Sequence, residues 1–237
     1  KYPLMLDYMR CMLEGKSLRA CANEVGICLK TSFEWRHKIL AAIRALEGGI
    51  SFSGIVEADE LLMKYSEKGR KFKNKEEYQK AKKKKHPKVA VLVVTDREGN
   101  LLFKQVGEKK VKNEQLREEL KNRLSENNLI CVKPKKEFRK GVKGLQSKKV
   151  IVNKRQIKRG IYSVKIVENK ISDFKTWLSR FHGVATKYLQ SYLMWFVIMN
   201  KYLKELIDPD IGRLLNLSSH DRWAWDKYRE IVSQKYE

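Results

Sequence analysis

Gly54-Ile55-Val56-Glu57-Ala58-Asp59-Glu60 is a short apolar run that ends in acidic side chains, and its character breaks sharply from the segment before it. Apolar residues following a glycine predict a strand from Ser53 to Glu60 with carboxylates at its end. Working outward, Val89 to Thr95 and Leu101 to Val106 predict two more strands. Asp96-Arg97-Glu98-Gly99-Asn100 joins them with the composition of a hairpin turn. An amphipathic helix follows, in which Leu116, Leu120 and Leu124 recur every four residues until Asn127-Asn128 interrupts it. Leu129 to Val132 and a stretch near Val150–Val152 predict two further strands. From Val167 onward the chain is expected to be helical. Phe174, Trp177, Leu178 and Phe181 share one face, and Tyr188, Leu189, Tyr192 and Leu193 mark a second helix beyond Gly183.

A strand, a hairpin, a helix, two single strands and closing helices is the element order of an α/β, ribonuclease H-like domain. In that architecture two-metal phosphoryl chemistry needs carboxylates on the first strand, at the end of the fourth and on a late helix. Together they hold two Mg²⁺ ions roughly 3.5–4 Å apart. Asp59 stands at the first of these places and Glu168, at the start of the helix near Val167, at the third. Lys175 lies two turns beyond Glu168 on the same helix face, where a cation can contact a phosphate. Helix starts attract Glu for dipole reasons alone, so Glu168 by itself reads as a surface carboxylate.

Residues 1–48 predict three helices. The first carries Leu4, Leu6, Met9 and Leu13 on one side, the second runs from Ser17 to Val25 and stops at Gly26, and Thr31 or Ser32 can cap the third. Helix, glycine turn, helix is the helix-turn-helix pattern of a DNA-binding unit. Its third helix would offer Lys30, Thr31, Ser32, Arg36 and Lys38 to phosphates and bases. A bundle that merely packs has the same spacing. A ribonuclease H-like domain is expected over 52–206, interrupted by a basic insertion at 64–88 that includes Lys82, Lys83, Lys84 and Lys85. That insertion reads as a solvated face or as a flexible arm along a DNA backbone. Residues 207–237 are expected to form a helical tail containing Trp223 and Trp225.

Composition favours a polyanionic partner. Over 237 residues, 52 Lys and Arg against 28 Asp and Glu leave a formal charge of +24, and nucleic acid is the first candidate because phosphate contacts release counterions. A membrane is not expected, since no run of roughly 18 apolar residues occurs and Tyr192–Ile198 reads as a core helix. Cys11, Cys21, Cys28 and Cys131 form no zinc-binding spacing and read as reduced core thiols. The expected location is intracellular: cytoplasm or nucleoid, or the nucleus in a eukaryote.

Three blocks carry a more specific signal: Thr31 to Leu40 (TSFEWRHKIL), Gly54 to Glu60 (GIVEADE) and Arg180 to Leu193 (RFHGVATKYLQSYL). They resemble the insertion-sequence DDE transposases of the branch related to eukaryotic Merlin elements, the ISXO-like transposase domain. The resemblance implies a zinc ribbon, a helix-turn-helix that reads element ends, and a catalytic site of Asp, Asp, then Asn or Glu, followed by Lys. Asp59, Glu168 and Lys175 match the first acid, the third and the lysine. The second acid does not match: relatives carry Asp shortly after the fourth strand, and Cys131-Val132-Lys133-Pro134 puts Lys133 there. No Asp lies between Asp96 and Asp173, and the nearest acid is Glu137. Ile171 stands where relatives usually show His, and Leu61-Leu62 replaces a more polar pair.

A lysine in that place would set its ammonium beside Asp59 and Glu168 and neutralise them without a metal. The leading expectation is therefore a transposase-derived protein that binds double-stranded DNA without cutting it and needs no cofactor. The rival is an active transposase using Mg²⁺ or Mn²⁺ at Asp59 and Glu168, completed by Glu137 or by another donor that the sequence does not mark. A third reading is an assembly scaffold, with a homodimer or another protein as partner. His182, Tyr188 and Tyr192 read as packing residues, and His37 as a phosphate contact or as a filler between the two domains.

Overall fold

The computed structural model describes residues 2–152 and 161–202, together with 226, 229–231 and 233. The chain opens with α1 (Tyr2–Leu13), α2 (Leu18–Val25) and α3 (Leu29–Ile43), and a 3-10 turn at Arg44–Gly49 leads out of them. Ser17 caps α2 by accepting from the Ala20 amide, and Gly26 closes it in the left-handed region at φ 70°. This is the conformation for which a glycine carries no Cβ penalty.

The start of α3 departs from expectation. Its cap is Cys28, whose thiol accepts from the Thr31 amide at 3.4 Å, so Thr31 and Ser32 fall within the helix. Ser32 turns inward, fully buried, where its hydroxyl donates to the Leu18 carbonyl and shares a hydrogen bond with the Tyr8 hydroxyl. Cys28 is exposed, unlike the buried Cys11, Cys21 and Cys131.

The central strand follows as β1 (Ile55–Met63). The insertion at 64–88 comes next and holds α4 (Lys75–Lys83), so part of the expected arm is a helix. Asn74 caps it by accepting from the Glu77 amide, and the helix buries no residue. Then come β2 (Val89–Asp96), β3 (Leu101–Glu108), α5 (Asn113–Lys121), β4 (Leu129–Val132), α6 (Lys136–Lys143), β5 (Lys148–Ile151), α7 (Lys165–Ser179) and α8 (Thr186–Tyr202). The strand order is β3-β2-β1-β4-β5. β1–β2 and β2–β3 are antiparallel, whereas β1–β4 and β4–β5 are parallel. This is the ribonuclease H-like arrangement that the element order predicts.

Both faces of the sheet are covered, which is why β2 reads as an unbroken apolar run and buries all its positions. On one face Val56, Ala58, Leu92 and Val94 pack with Leu116 and Leu120 of α5 and Phe138 and Val142 of α6. On the other, Leu61, Val91, Val93 and Phe103 pack with Phe174 of α7, the apolar length of α8 and the N-terminal helices. Each fully buried Val, Leu or Phe contributes about 1.5–3 kcal/mol by leaving water. The helix α5 stops at Lys121, short of Leu124, which reaches the core from the following turn. The sequence did not predict α6. It has only Phe138 and Val142 as apolar anchors and a glycine within it, yet Gly141 is required: a Cβ there would sit 2.9 Å from Leu116 Cδ2 and 3.1 Å from the Asn113 carbonyl.

The apolar run in α8 is a core helix, and among the described residues no helix is long and apolar enough to cross a membrane. Gln190 ties α8 to the edge strand, accepting from the Gln105 amide and donating to the Phe103 carbonyl and to Glu47. Trp223, Trp225 and most of the expected tail lie outside the described residues.

Candidate functional site

Side chains alternate along a strand, so Glu57 and Asp59 leave β1 on one face and Val56 and Ala58 on the other. In the parallel pairing of β1 with β4, Ala58 lies opposite Val132. The residue that follows β4 therefore emerges beside Asp59, and that residue is Lys133. Glu57 is fully buried on the same face. It accepts from the Ser163 hydroxyl at 3.0 Å and from the backbone amides of Ile166 and Val167 at 2.8 and 3.1 Å. A carboxylate on the first amides of a helix satisfies orphan donors and complements the dipole. The hydrogen bonds pin the start of α7 over the strand and bring Glu168 to the site.

The Lys133 ammonium lies 2.5 Å from Asp59 Oδ2 and 2.6 Å from Glu168 Oε1. Lys135 adds a second cation, 3.1 Å from Asp59 Oδ1 and 2.8 Å from Glu60 Oε1. Asp59 is buried, with 5% of its side chain exposed, whereas Glu168 is 44% exposed. Burial pulls the Lys133 ammonium toward its neutral form, but hydrogen bonds and charge from Asp59 and Glu168 outweigh it and raise its pKa. Both oxygens of Asp59 are thus held by ammonium groups.

In this arrangement the carboxylates are taken up by protein donors. Mg²⁺ and Mn²⁺ take hard oxygen donors in roughly octahedral geometry. Here one Glu57 oxygen serves the amides of α7 and the other the Ser163 hydroxyl, Asp59 serves two lysines, and Glu60 serves Lys135 and the Val111 amide. Among the described residues no group of three or more His, Cys, Asp or Glu is arranged to share an ion. Glu137 does not complete the set. It pairs with Lys110, whose hydrogen bond is the main cause of its lowered pKa.

The other candidates divide. Lys175 is exposed, two turns along α7 from Glu168. Ile171 lies on the buried face of the same helix. Lys30 is exposed and Lys38 half-buried on α3, and Lys82, Lys83, Lys84 and Lys85 are all exposed at the end of α4. Two expected DNA contacts are corrected: Ser32 and Arg36 are fully buried and cannot meet a groove. Arg36 donates to the Lys16 carbonyl at 2.8 Å and to Cys21 Sγ at 3.1 Å because α3 is sandwiched between α2 and α8. His37 is buried too, with its ring centroid 4.0 Å from that of Tyr188. Burial first, and the charges of Arg36 and Lys187 second, push its pKa down to about 3. Tyr188 and Tyr192 are packing residues. His182 is not: it is exposed in the turn before α8 at φ 52°.

Glu57 and Lys135 were missed as site residues. A charged residue inside an apolar strand needs a buried partner, and that was the available signal for Glu57. Lys135 offered none amid its neighbouring lysines.

A β3-β2-β1-β4-β5 sheet whose central strand, fourth strand end and late helix meet at Asp59, Lys133 and Glu168 is the ribonuclease H-like arrangement. Residues 51–198 match the family model described as the ISXO2-like transposase domain, and the chain belongs to that family. No curated protein matches the chain. Among solved structures, the crystal structure of a pre-cleavage Mos1 transpososome matches at 10% identity with a TM-score of 0.37, covering 93% of this chain and 75% of that one.

Proposed function

We propose that this member of the transposase family binds duplex DNA without cutting it, its metal site replaced by ion pairs. The observation that carries the reading is Lys133, seated between Asp59 and Glu168 at hydrogen-bonding distance from each. Unit charges about 4 Å apart at an effective dielectric near 20 attract by about 4 kcal/mol. A divalent cation would have to displace the ammonium and then lie beside its charge. Without a metal there is nothing to activate the attacking oxygen or stabilise the leaving one.

DNA remains the natural partner for a chain of formal charge +24. The exposed lysines at the end of α4 and Lys30 on α3 are the proposed phosphate contacts, and Lys175 is a further one beside the pseudo-site. The test is to measure affinity for a short duplex across salt concentrations and to incubate the protein with supercoiled plasmid and Mg²⁺ or Mn²⁺. Log affinity is expected to fall linearly with log salt, with a slope of about −0.9 for each phosphate neutralised, and the plasmid is expected to stay supercoiled. Metal-dependent nicking that is lost in Asp59→Asn would overturn the reading.

A further inference from the structure

A cavity of about 700 Å³ opens between the N-terminal helices and the turn joining α7 to α8. That size lies within the roughly 300–1,000 Å³ range of small-molecule sites. Arg36 lies at its floor. The side chain is fully buried, and among the described residues its Nε and Nη1 make no hydrogen bond that meets the usual geometry. Nη2 donates to the Lys16 carbonyl and to Cys21 Sγ, and the Tyr8 and Tyr192 hydroxyls also interact with the guanidinium. The guanidinium stacks 5.0 Å from the Trp195 ring and 5.7 Å from the Phe181 ring.

Among the described residues lining the cavity none is Asp or Glu, while exposed Arg19 and Arg180 stand at its rim. Lys68 braces the turn by donating to the carbonyls of Phe181, His182 and Gly183. His37, held neutral, adds no charge of its own. With no carboxylate among the described lining residues, the buried guanidinium adds a positive potential to that space. Half-buried Phe33 and Phe181 present aromatic surface beside it. An anion alone leaves the aromatic surface uncovered, and an apolar ligand leaves the charge unmatched. A planar aromatic group bearing a phosphate satisfies both.

We propose that this cavity binds a nucleotide, its base against Phe33 and Phe181 and its phosphate held at the rim by Arg19 and Arg180, in the field of the buried Arg36. The nucleotide is either an unpaired end of DNA or a free mononucleotide. Binding here does not depend on whether the acidic cluster can hold a metal.

The test is calorimetric titration of the full chain with dAMP, deoxyadenosine and inorganic phosphate. dAMP is expected to saturate one site, with deoxyadenosine and phosphate each at least about tenfold weaker. Arg19→Ala and Arg180→Ala, both on the exposed rim and harmless to the core, should each weaken dAMP by about three- to fivefold. Lys121→Ala, an exposed cation outside the cavity lining, should leave the affinity unchanged. Three results would overturn the proposal: no saturable dAMP binding, phosphate binding as tightly as dAMP, or Lys121→Ala weakening binding as much as Arg180→Ala. A duplex with one unpaired terminal nucleotide that displaces dAMP, where a blunt duplex does not, assigns the site to DNA ends. Failure to displace it assigns the site to free nucleotides, and both results uphold the cavity as a nucleotide site.

Discussion

Replacing Lys133 by Met removes the ammonium but keeps most of the aliphatic stem, and the cost depends on which carboxylate is left behind. Breaking a fully buried ion pair by removing one partner costs about 3–5 kcal/mol, whereas an exposed pair is worth about 0.2–1 kcal/mol. The Asp59 arm belongs near the first case, with 5% of the acid exposed, but Lys135 remains on the other oxygen at 3.1 Å and offsets part of the loss. The Glu168 arm belongs to the second, with 44% of the side chain exposed. A net loss of about 2 kcal/mol follows, which for a chain of this length lowers Tm by about 4–8 °C. Double-mutant cycles by urea denaturation separate the arms: Lys133→Met with Asp59→Asn should give a coupling of about 1–2 kcal/mol, and Lys133→Met with Glu168→Gln less than about 1 kcal/mol. The Lys133 pKa is raised in the folded state. Its contribution is therefore full below the unfolded value of about 10.4 and is lost only as pH rises through the higher folded value. Equal couplings in the two cycles, or an Asp59 coupling that vanishes between pH 7 and 9, would refute this account of the site.

Glu57→Gln should cost about 2–3 kcal/mol, because the amide replaces one of the two oxygens that accept from Ser163, Ile166 and Val167 with an NH2 donor; hydrogen exchange should quicken at the start of α7, and unchanged exchange there would contradict the pinning role. Stability should fall on acidification because His37 stays neutral in the fold down to about pH 3 and unfolding lets it protonate below its ordinary value of about 6.5. The loss reaches about 2 kcal/mol at pH 5, and chemical denaturation of His37→Phe should show it removed. Substituting Lys82, Lys83, Lys84 and Lys85 together by Ala should reduce the salt slope of duplex binding by up to about 3.6, or about 0.9 for each phosphate that a lysine no longer neutralises. An unchanged slope would mean that α4 does not touch the backbone.

The sheet was legible because each strand carries a local mark: the continuous apolar run of β2, the hairpin residues after it, and the abrupt ends of β4. The place of Lys133 was legible only through the resemblance, in which relatives carry Asp shortly after the fourth strand, and the parallel pairing of β4 with β1 is what sets it beside Asp59. What could not be read was set by distant partners. Ser32 and Arg36 have the composition of an exposed helix face, yet Tyr8 of α1 and Leu18 of α2 cover Ser32, and Trp195 of α8, some 150 residues later in the chain, covers Arg36, whose burial the Lys16 carbonyl makes tolerable. Helix α6 is too short and too charged for a periodicity to emerge, and only its fit against α5 at Gly141 explains it. Glu57 was hidden beside the more conspicuous Asp59, although strand alternation sets the two on one face.

The central claim is that ammonium groups have taken the place of metal ions in this transposase-family domain. Calorimetric titration of the protein with Mn²⁺, alongside Lys133→Asp, tests it most directly. The account predicts no saturable Mn²⁺ binding by the chain as it stands and a new site in Lys133→Asp, where a carboxylate joins Asp59 and Glu168. Mn²⁺ binding by the unaltered chain that Asp59→Asn abolishes would contradict it.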